Sequence, residues 1–172
     1  MSATGHPSPT GYAVVDAARI SALGDGVAII FRKHLKCSRL ALPACRTLEV
    51  ICVRLSGLTT LSGAVIVINI YRPRSKKPSA LFFDELASVL KTLVSYSCPV
   101  IVVGDFNVRA QDPSNPDARL LDNLLFDMVQ HAQPRSYSPL RHGNTIDFVL
   151  TFADRIPDTV SVDRTWMSIS FS

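Results

Sequence analysis

Short apolar runs separated by turns recur along the first half of the chain. Four of them are rich in Val and Ile and have the length of strands: 11–16, 26–31, 47–55 and 64–71. The run at 47–55 alternates between apolar and polar residues, which is typical of a half-buried strand. The runs at 26–31 and 64–71 are nearly continuous and predict strands covered on both faces.

After residue 78 the apolar period becomes helical. Residues 79–96 carry one apolar stripe, and Ser79 is in position to cap the helix. The members of that stripe are Phe82, Leu86, Val89 and Leu93. Residues 115–128 predict a second helix, with Asn115 as its cap and Pro116 in its first turn. The predicted buried face of this second helix consists of Leu120, Leu121, Leu124, Leu125 and Met128.

Three further strand candidates lie at 99–103, 144–152 and 159–163, and a loop rich in Pro, Ser and Arg is predicted at 133–143. Strands outnumber helices, and the helices have one apolar face each. The pattern therefore predicts an α/β (α+β) domain in which helices cover a sheet.

Length and composition fit one globular domain. The chain has 172 residues, of which 47% are hydrophobic and 19% charged. Residues 1–10 are polar and predict a disordered lead-in, followed by one domain over 11–172. The longest apolar run, 64–70, is too short to span a membrane, and the N-terminus has no secretory signal. We expect an intracellular protein, nuclear or cytoplasmic, that is not secreted and does not contact a membrane.

The four cysteines form no CxxC pair. His34, Cys37 and Cys45 match no standard zinc spacing, and no second pair follows them. Reduced cysteines in a strand-rich core are the expected alternative.

Charge is unevenly distributed along the chain, although the net charge is only +4. Residues 32–77 contain ten Lys and Arg against the single acid Glu49, whereas the chain from Pro78 onward has seven against eleven acids. Such asymmetry is typical of a surface that faces a polyanion. Ordinary solvated loops and strand ends would give the same count, so both interpretations stand.

The stretch PVIVVGDFN, residues 99–107, runs from a buried-looking strand directly into Asp105 and Asn107. Buried strands of α/β folds often present functional groups at their carboxyl ends. An ordinary turn is the alternative, because Gly, Asp and Asn favour turns. A P-loop ATPase strand is excluded, since the chain has no GxxxxGK[ST].

Two further segments carry candidate chemistry. Asp147 lies inside an apolar strand, where a carboxylate needs a partner unless it faces solvent. The segment INIYRPRSKKP, 68–78, ends a strand at Tyr71 and continues into a basic loop that starts with Arg72. A hydroxyl and a basic loop at a strand end suit phosphate recognition, and a solubilising loop is the alternative.

The order GVAIIFR, INIYRP, VVGDFN, GNTIDFVLT resembles the endonuclease/exonuclease/phosphatase superfamily. More narrowly, it is similar to the endonuclease domain of reverse-transcriptase proteins of non-LTR retrotransposons, over about residues 11–165. The resemblance implies a four-layered α/β sandwich of two packed mixed sheets flanked by helices, incomplete here. It also implies Mg²⁺-dependent hydrolysis of DNA phosphodiester bonds.

The resemblance further assigns roles to individual residues. Asp105 would position or deprotonate the attacking water, Asn107 would hold water and phosphate, and Asp147 would orient a catalytic histidine. The substrate phosphate would be contacted by Tyr71, Arg72 and Asn144.

Two parts of the family site have no counterpart in the sequence. No Asp-His dipeptide occurs, and Glu49 follows the run at 26–31, which is too late for the metal-binding glutamate of the family. No metal ligand is therefore identifiable, and we expect weak Mg²⁺ binding and little or no catalysis by this chain alone. The implied partners are DNA and a reverse-transcriptase region or missing flanking segments.

Two other functions remain open at this stage. One is a non-catalytic remnant that binds nucleic acid through residues 32–77. The other is a phosphatase-type member of the superfamily that acts on a small phosphorylated substrate.

Overall fold

The architecture comes from a computed structural model. It describes residues 9–17, 26–59, 63–74, 77–108, 114–132, 137–140, 147–152, 159–162 and 167–170, with side chains as far as 126. Of the predicted lead-in, 1–10, residues 1–8 lie outside the described residues. In chain order the elements are β1 (Tyr12–Ala17), β2 (Val27–Arg32), β3 (Lys36–Arg39), β4 (Glu49–Ser56), β5 (Ala64–Tyr71), α1 (Ala80–Val94), β6 (Val100–Asp105), α2 (Pro116–Ala132), β7 (Tyr137–Leu140), β8 (Asp147–Phe152), β9 (Thr159–Val162) and β10 (Met167–Ser170).

A six-stranded mixed sheet is the centre of the fold, with strand order β3-β4-β5-β6-β8-β7. β5 and β6 pair in parallel and are connected through α1, as a crossover between parallel strands requires. The other pairs in this sheet are antiparallel. Two antiparallel hairpins, β1-β2 and β9-β10, form separate two-stranded sheets.

The two helices share one hydrophobic core with one face of the large sheet. α1 contributes the predicted stripe, because Phe82, Leu86, Val89 and Leu93 are all buried. The side chain of Ser79 accepts a hydrogen bond from the backbone N–H of Phe82, which confirms the predicted cap. Neither helix in the described part of the chain is long and apolar enough to cross a membrane.

The other face of the large sheet packs against the β1-β2 hairpin. Val27 and Ile29 of β2 are buried there in a second core with residues of β4, β5 and β6. The described chain thus places helices, a six-stranded sheet and a smaller sheet in successive layers. The predicted fold class, packed sheets flanked by helices, is confirmed.

Two side chains connect the packed sheets by hydrogen bonds. Asn69 Nδ2 on β5 donates to the backbone oxygen of Ala28 on β2, at 3.0 Å. The Arg39 guanidinium on β3 donates to the backbone oxygen of Asp16 on β1. Asn69, which interrupts an otherwise apolar run, therefore satisfies a backbone carbonyl of the opposing sheet.

Three short strands, β3, β7 and β10, were not predicted. β7 lies in the segment 133–143 that the sequence predicts as a loop, and it pairs with β8 at the edge of the large sheet. An edge strand tolerates Pro139, which removes one backbone donor. β3 is exposed along its whole length, so it has no apolar alternation to reveal it.

Two burial predictions were wrong. β2 alternates between buried and exposed residues, with Ile30 51% exposed, because the hairpin packs on the large sheet with one face only. Leu120 is 51% exposed, since α2 buries Ala118, Leu121 and Leu125 instead. A run of adjacent leucines spans more of a helix circumference than one packing face can cover.

The cysteines are free, but their environments differ. Cys52 is buried in the core, and burial raises the pKa of its thiol to about 12, which makes it unreactive. Cys37 is exposed on β3, so the expectation of a core position is wrong for it. No group of His, Cys, Asp and Glu that could hold a metal occurs in the described part of the chain, including around His34 and Cys45.

A buried glutamate on α1 fixes the segment that leads into β4. The Glu85 carboxylate accepts hydrogen bonds from the backbone N–H of Arg46 at 2.8 Å and of Thr47 at 2.9 Å. It also accepts one from the Thr47 hydroxyl at 2.5 Å. Burial raises the pKa of Glu85, whereas these hydrogen bonds to the ionised carboxylate lower it. The hydrogen bonds have the larger combined effect, so the pKa of Glu85 lies below its ordinary value.

We expect Glu85→Gln to lower the free energy of unfolding at neutral pH by about 1–2 kcal/mol, because charge-assisted hydrogen bonds are replaced by neutral ones. A carboxyl group with a depressed folded-state pKa stabilises the fold above its unfolded pKa, ordinarily 4.5, and this stabilisation is lost as the pH falls through the folded pKa. The difference between the two proteins, measured by urea unfolding, should therefore shrink as the pH falls below about 4.5.

Asp84→Asn, at the exposed neighbouring position, is the matched control and should leave stability within about 0.5 kcal/mol of wild type. A Glu85→Gln deficit that stays constant from pH 7 to pH 3 would contradict the assignment.

Candidate functional site

One row of residues crosses the end of the large sheet and brings together segments that are distant in sequence. Tyr71, the last residue of β5, pairs in register with Asp105, the last residue of β6. Asp105 in turn pairs with Asp147, the first residue of β8. On the other side, Tyr71 pairs with Glu49, the first residue of β4. We call these four residues the terminal row.

The described side chains of the terminal row lie on the face of the sheet that packs against the β1-β2 hairpin. Residues paired in register project to the same face, and side chains alternate along each strand. Val103, two positions before Asp105, belongs to the core shared with the hairpin, and Tyr71 packs against that core. Glu49, Tyr71 and Asp105 are each intermediate in exposure. The row therefore forms where a buried face meets solvent.

A glycine permits the close approach of β5 to β6 just before the row. A Cβ atom placed on Gly104 would lie 1.9 Å from the backbone oxygen of Ile70, the residue paired with it. Any other residue would therefore force the two strands apart. The glycine of GDFN is required by the sheet.

The chain leaves its extended conformation directly after the row. Asn107 has φ of 49°, a left-handed conformation that asparagine tolerates better than most residues. Asp105 and Asn107 therefore do not both lie in one extended segment. They are instead joined by a hydrogen bond, in which Asn107 N–H donates to Asp105 Oδ1 at 2.8 Å.

The side-chain amide of Asn107 is also oriented by a hydrogen bond. Its Nδ2 donates to the backbone oxygen of Arg72 at 2.8 Å, and Arg72 N–H donates to the backbone oxygen of Asp105 at 2.9 Å. YRP and GDFN thus form one hydrogen-bonded unit at the end of the paired strands.

Arg72 is 5% exposed, although the sequence predicts it to contact phosphate. Its guanidinium donates through Nε to the backbone oxygen of Phe106 at 2.6 Å, and through Nη2 to that of Asn107 at 2.5 Å. Burial lowers the pKa of Arg72 from its ordinary value, while Asp105, Asp117 and Tyr71 act in the opposite direction. An arginine remains charged under these conditions.

The remaining two predicted site residues are only partly placed. The backbone of Asp147 lies opposite Asp105 in the sheet, and its side chain is outside the described set. Asn144 belongs to residues 141–146, which also lie outside the described residues.

Glu49 lies in this region, although the sequence analysis rejected it as the metal-binding glutamate and gave it no other role. It enters the terminal row because β4 runs antiparallel to β5 and begins where β5 ends. Its Oε2 atom is buried. The available signal was its position on the apolar face of an alternating strand, in line with Ile51 and Val53, which is the same signal that singled out Asp147.

The family model described as endonuclease/exonuclease/phosphatase matches residues 3–170. The chain belongs to this family. A phosphatase or phosphodiesterase fold is therefore established at the level of the family. No curated protein sequence matches the chain significantly.

Solved structures of this family resemble the chain at low sequence identity. The mannosyl-6-phosphatase Bt3783 of Bacteroides thetaiotaomicron has a TM-score of 0.50 and 14% identity, over 94% of this chain and 73% of that one. ANGEL2, a 2′,3′-cyclic phosphatase, has a TM-score of 0.43 and 18% identity, over 79% of this chain. A humanized D. rerio TDP2 has a TM-score of 0.42 and 13% identity, over 88% of this chain. The chain spans 40% of the ANGEL2 structure and 62% of the TDP2 structure.

Members of the endonuclease/exonuclease/phosphatase family generally use divalent metal ions. In this chain the described carboxylates of the terminal row, Glu49 and Asp105, lie two strands apart, so their backbones are about 10 Å from each other. Among the described residues no group of three or more His, Cys, Asp and Glu side chains could hold a metal ion. These side chains alone therefore do not form the complete metal site of the family.

Gly104→Ala tests whether the sheet geometry underlies the site. Because the added methyl group would collide with the Ile70 carbonyl, we expect a loss of about 3 kcal/mol in the free energy of unfolding. The control Gly57→Ala should lose only about 1 kcal/mol, since its φ of 92° is left-handed but its surroundings are open. Equal losses in the two variants, measured by chemical denaturation, would show that the close strand approach is not required.

Proposed function

We propose that this chain is an endonuclease-like phosphodiesterase domain whose substrate is DNA, related to the endonucleases of non-LTR retrotransposons. The observation that carries the proposal is the terminal row, where Tyr71, Asp105 and Asp147 pair in register. The excess of Lys and Arg over acids in residues 32–77 supports a polyanion such as DNA over a small phosphorylated substrate.

The proposed reaction is in-line attack of water on a phosphodiester. The water oxygen forms a bond to phosphorus while the bond to the leaving oxygen breaks. Asp105 accepts the proton of the water, and Asn107 holds the water against the phosphate. Tyr71, with Asn144, donates hydrogen bonds to the phosphate oxygens, and Asp147 supports the site from the next strand.

We propose that Mg²⁺ assists this reaction and binds weakly, since the described carboxylates of the row are too dispersed to hold it alone. When bound, the ion would supply positive charge at the phosphoryl group.

The leaving oxygen also needs a proton donor. The one histidine side chain that the structure describes, His34, lies on the turn between β2 and β3. This turn is at the end of the sheet away from the terminal row, so His34 is not placed to be that donor. We therefore propose that flanking segments or a reverse-transcriptase region complete the enzyme inside the cell.

We expect purified residues 1–172 to nick supercoiled plasmid slowly in Mg²⁺, at a rate that Asp105→Asn lowers at least about 100-fold. Nicking is the suitable assay, because one cut per circle changes its migration. The control Asp84→Asn, on the exposed face of α1, should nick as wild type does. Nicking that persists in Asp105→Asn would contradict the role of Asp105.

A substrate pair separates the nuclease from the phosphatase function. Bis(4-nitrophenyl) phosphate is a diester and 4-nitrophenyl phosphate is a monoester. Faster hydrolysis of the diester supports the proposal, and faster hydrolysis of the monoester supports a phosphatase that acts on a small substrate.

A second candidate function, nucleic-acid binding without cleavage, is favoured by one surface. Arg32, Lys33, Lys36 and Arg39 are all exposed around the turn from β2 into the edge strand β3, and we call them the basic edge. No Asp or Glu occurs between residues 26 and 48. Positive charge along an edge strand also prevents edge-to-edge pairing, so binding has to be measured.

We expect the double variant Lys33→Ala, Lys36→Ala to bind duplex DNA more weakly and with a smaller salt dependence. Each lost phosphate contact reduces the slope of log K against log salt by about 0.9, so the slope should fall by about 2. Fluorescence anisotropy at several salt concentrations measures both quantities. The control Lys91→Ala, in the last turn of α1, should leave the slope unchanged. Equal slopes in all three proteins would exclude the basic edge from binding.

A further inference from the structure

We propose that Arg72 is a positioning residue of the candidate site: its buried guanidinium holds the backbone of Phe106 and Asn107, and through it the Asp105–Asn107 pair, and does not bind substrate. The inference rests on the proposed function for its kinetic consequences. Its structural part stands on the contacts of Arg72 alone.

The guanidinium is directed at the protein interior. Nε and Nη2 donate to the carbonyl oxygens of two successive residues, Phe106 and Asn107, and Nη1 donates to the carbonyl oxygen of Pro73 at 3.3 Å. The ring of Phe82, itself 1% exposed, lies 5.5 Å from the guanidinium carbon and shields it from solvent. With 5% of its surface exposed, Arg72 offers no open face to a phosphate.

Three hydrogen bonds hold Asn107 in place. Its carbonyl oxygen accepts from the Arg72 guanidinium, its side-chain Nδ2 donates to the Arg72 carbonyl, and its backbone N–H donates to Asp105 Oδ1. The left-handed conformation of Asn107 is what aims its carbonyl at Arg72. Without this bond the turn has a more common backbone conformation available, in which the amide and the Asp105 carboxylate separate.

A planar fork is needed for this arrangement. Two donors of one guanidinium have a fixed separation and direction, which suits two successive carbonyls, whereas a lysine ammonium is a single point charge. Arg72→Lys therefore keeps the positive charge but loses the pair of hydrogen bonds to the two carbonyls. It is the informative variant, since removal of the charge as well, in Arg72→Met, would leave buried carbonyls without donors and threaten folding.

The experiment compares wild type, Arg72→Lys and the control Arg54→Lys, which alters an exposed arginine on the neighbouring strand β4. Hydrolysis of bis(4-nitrophenyl) phosphate is measured per folded molecule, with the folded fraction taken from thermal unfolding. The dissociation constant of inorganic phosphate is measured by NMR. We expect Arg72→Lys to lower kcat about 100-fold, because a displacement of about 1 Å at a catalytic pair has this effect, while KM and the phosphate dissociation constant stay within about threefold.

Three results would overturn the proposal. A rise in KM and in the phosphate dissociation constant at unchanged kcat would make Arg72 a substrate ligand. An unchanged kcat per folded molecule would leave it a purely structural residue. A loss of activity of the same size in Arg54→Lys would show that the effect is not specific to the buried position.

If the wild-type chain hydrolyses nothing, the slow hydrolysis expected of this chain under the proposed function is contradicted, and the positioning role is still tested by NMR. The Asn107 backbone coupling constant and its side-chain amide signals report the left-handed turn directly. We expect Arg72→Lys to change both and Arg54→Lys to change neither. An Asn107 conformation that is retained in Arg72→Lys would overturn the proposal whether or not the chain is an enzyme.

Discussion

The parallel pairing of β5 with β6 is the constraint on which the candidate site depends. It aligns the last residues of two strands that are separated in sequence by the whole of α1, and so places Tyr71 beside Asp105. The pairing is tight enough that only a glycine fits opposite Ile70. β4 and β8 then add their first residues to the same row by antiparallel pairing on either side. A shift of one residue in the register of either strand would move its member of the row to the opposite face.

Periodicity predicted the longer elements correctly, because their burial is regular. β1, β4, β5 and both helices begin and end within a few residues of the expected positions, and the Ser79 cap is in place. The short strands β3 and β7 were missed because partners in the sheet, not their own side chains, define them. The assignment of β2 as covered on both faces failed for a related reason. A run of apolar residues does not reveal how many neighbours a strand has.

The candidate site divides in the same way between what the sequence reveals and what only three dimensions reveal. The motifs carrying Tyr71, Asp105 and Asn107 could be recognised from their order, and the structure brings the three together. The contacts of Arg72 could not be predicted, because its partners are backbone carbonyls. Every residue has one, so the sequence does not show which of them a side chain contacts. Glu49 could not be placed either, since its position in the row follows from strand register alone.

The two hydrogen bonds between the packed sheets have a mechanical consequence. Contact between aliphatic faces is non-directional, so it constrains the relative position of two sheets less than directional hydrogen bonds do. Asn69 and Arg39, on two different strands of the large sheet, donate to Ala28 and Asp16, which are paired with each other across the hairpin. Both hydrogen bonds therefore hold one cross-strand pair of the hairpin, and their direction opposes sliding of this pair over the large sheet. The position of the hairpin on the large sheet is thus fixed by two directional hydrogen bonds, from an amide and a guanidinium, in addition to the packing of the aliphatic side chains between the sheets.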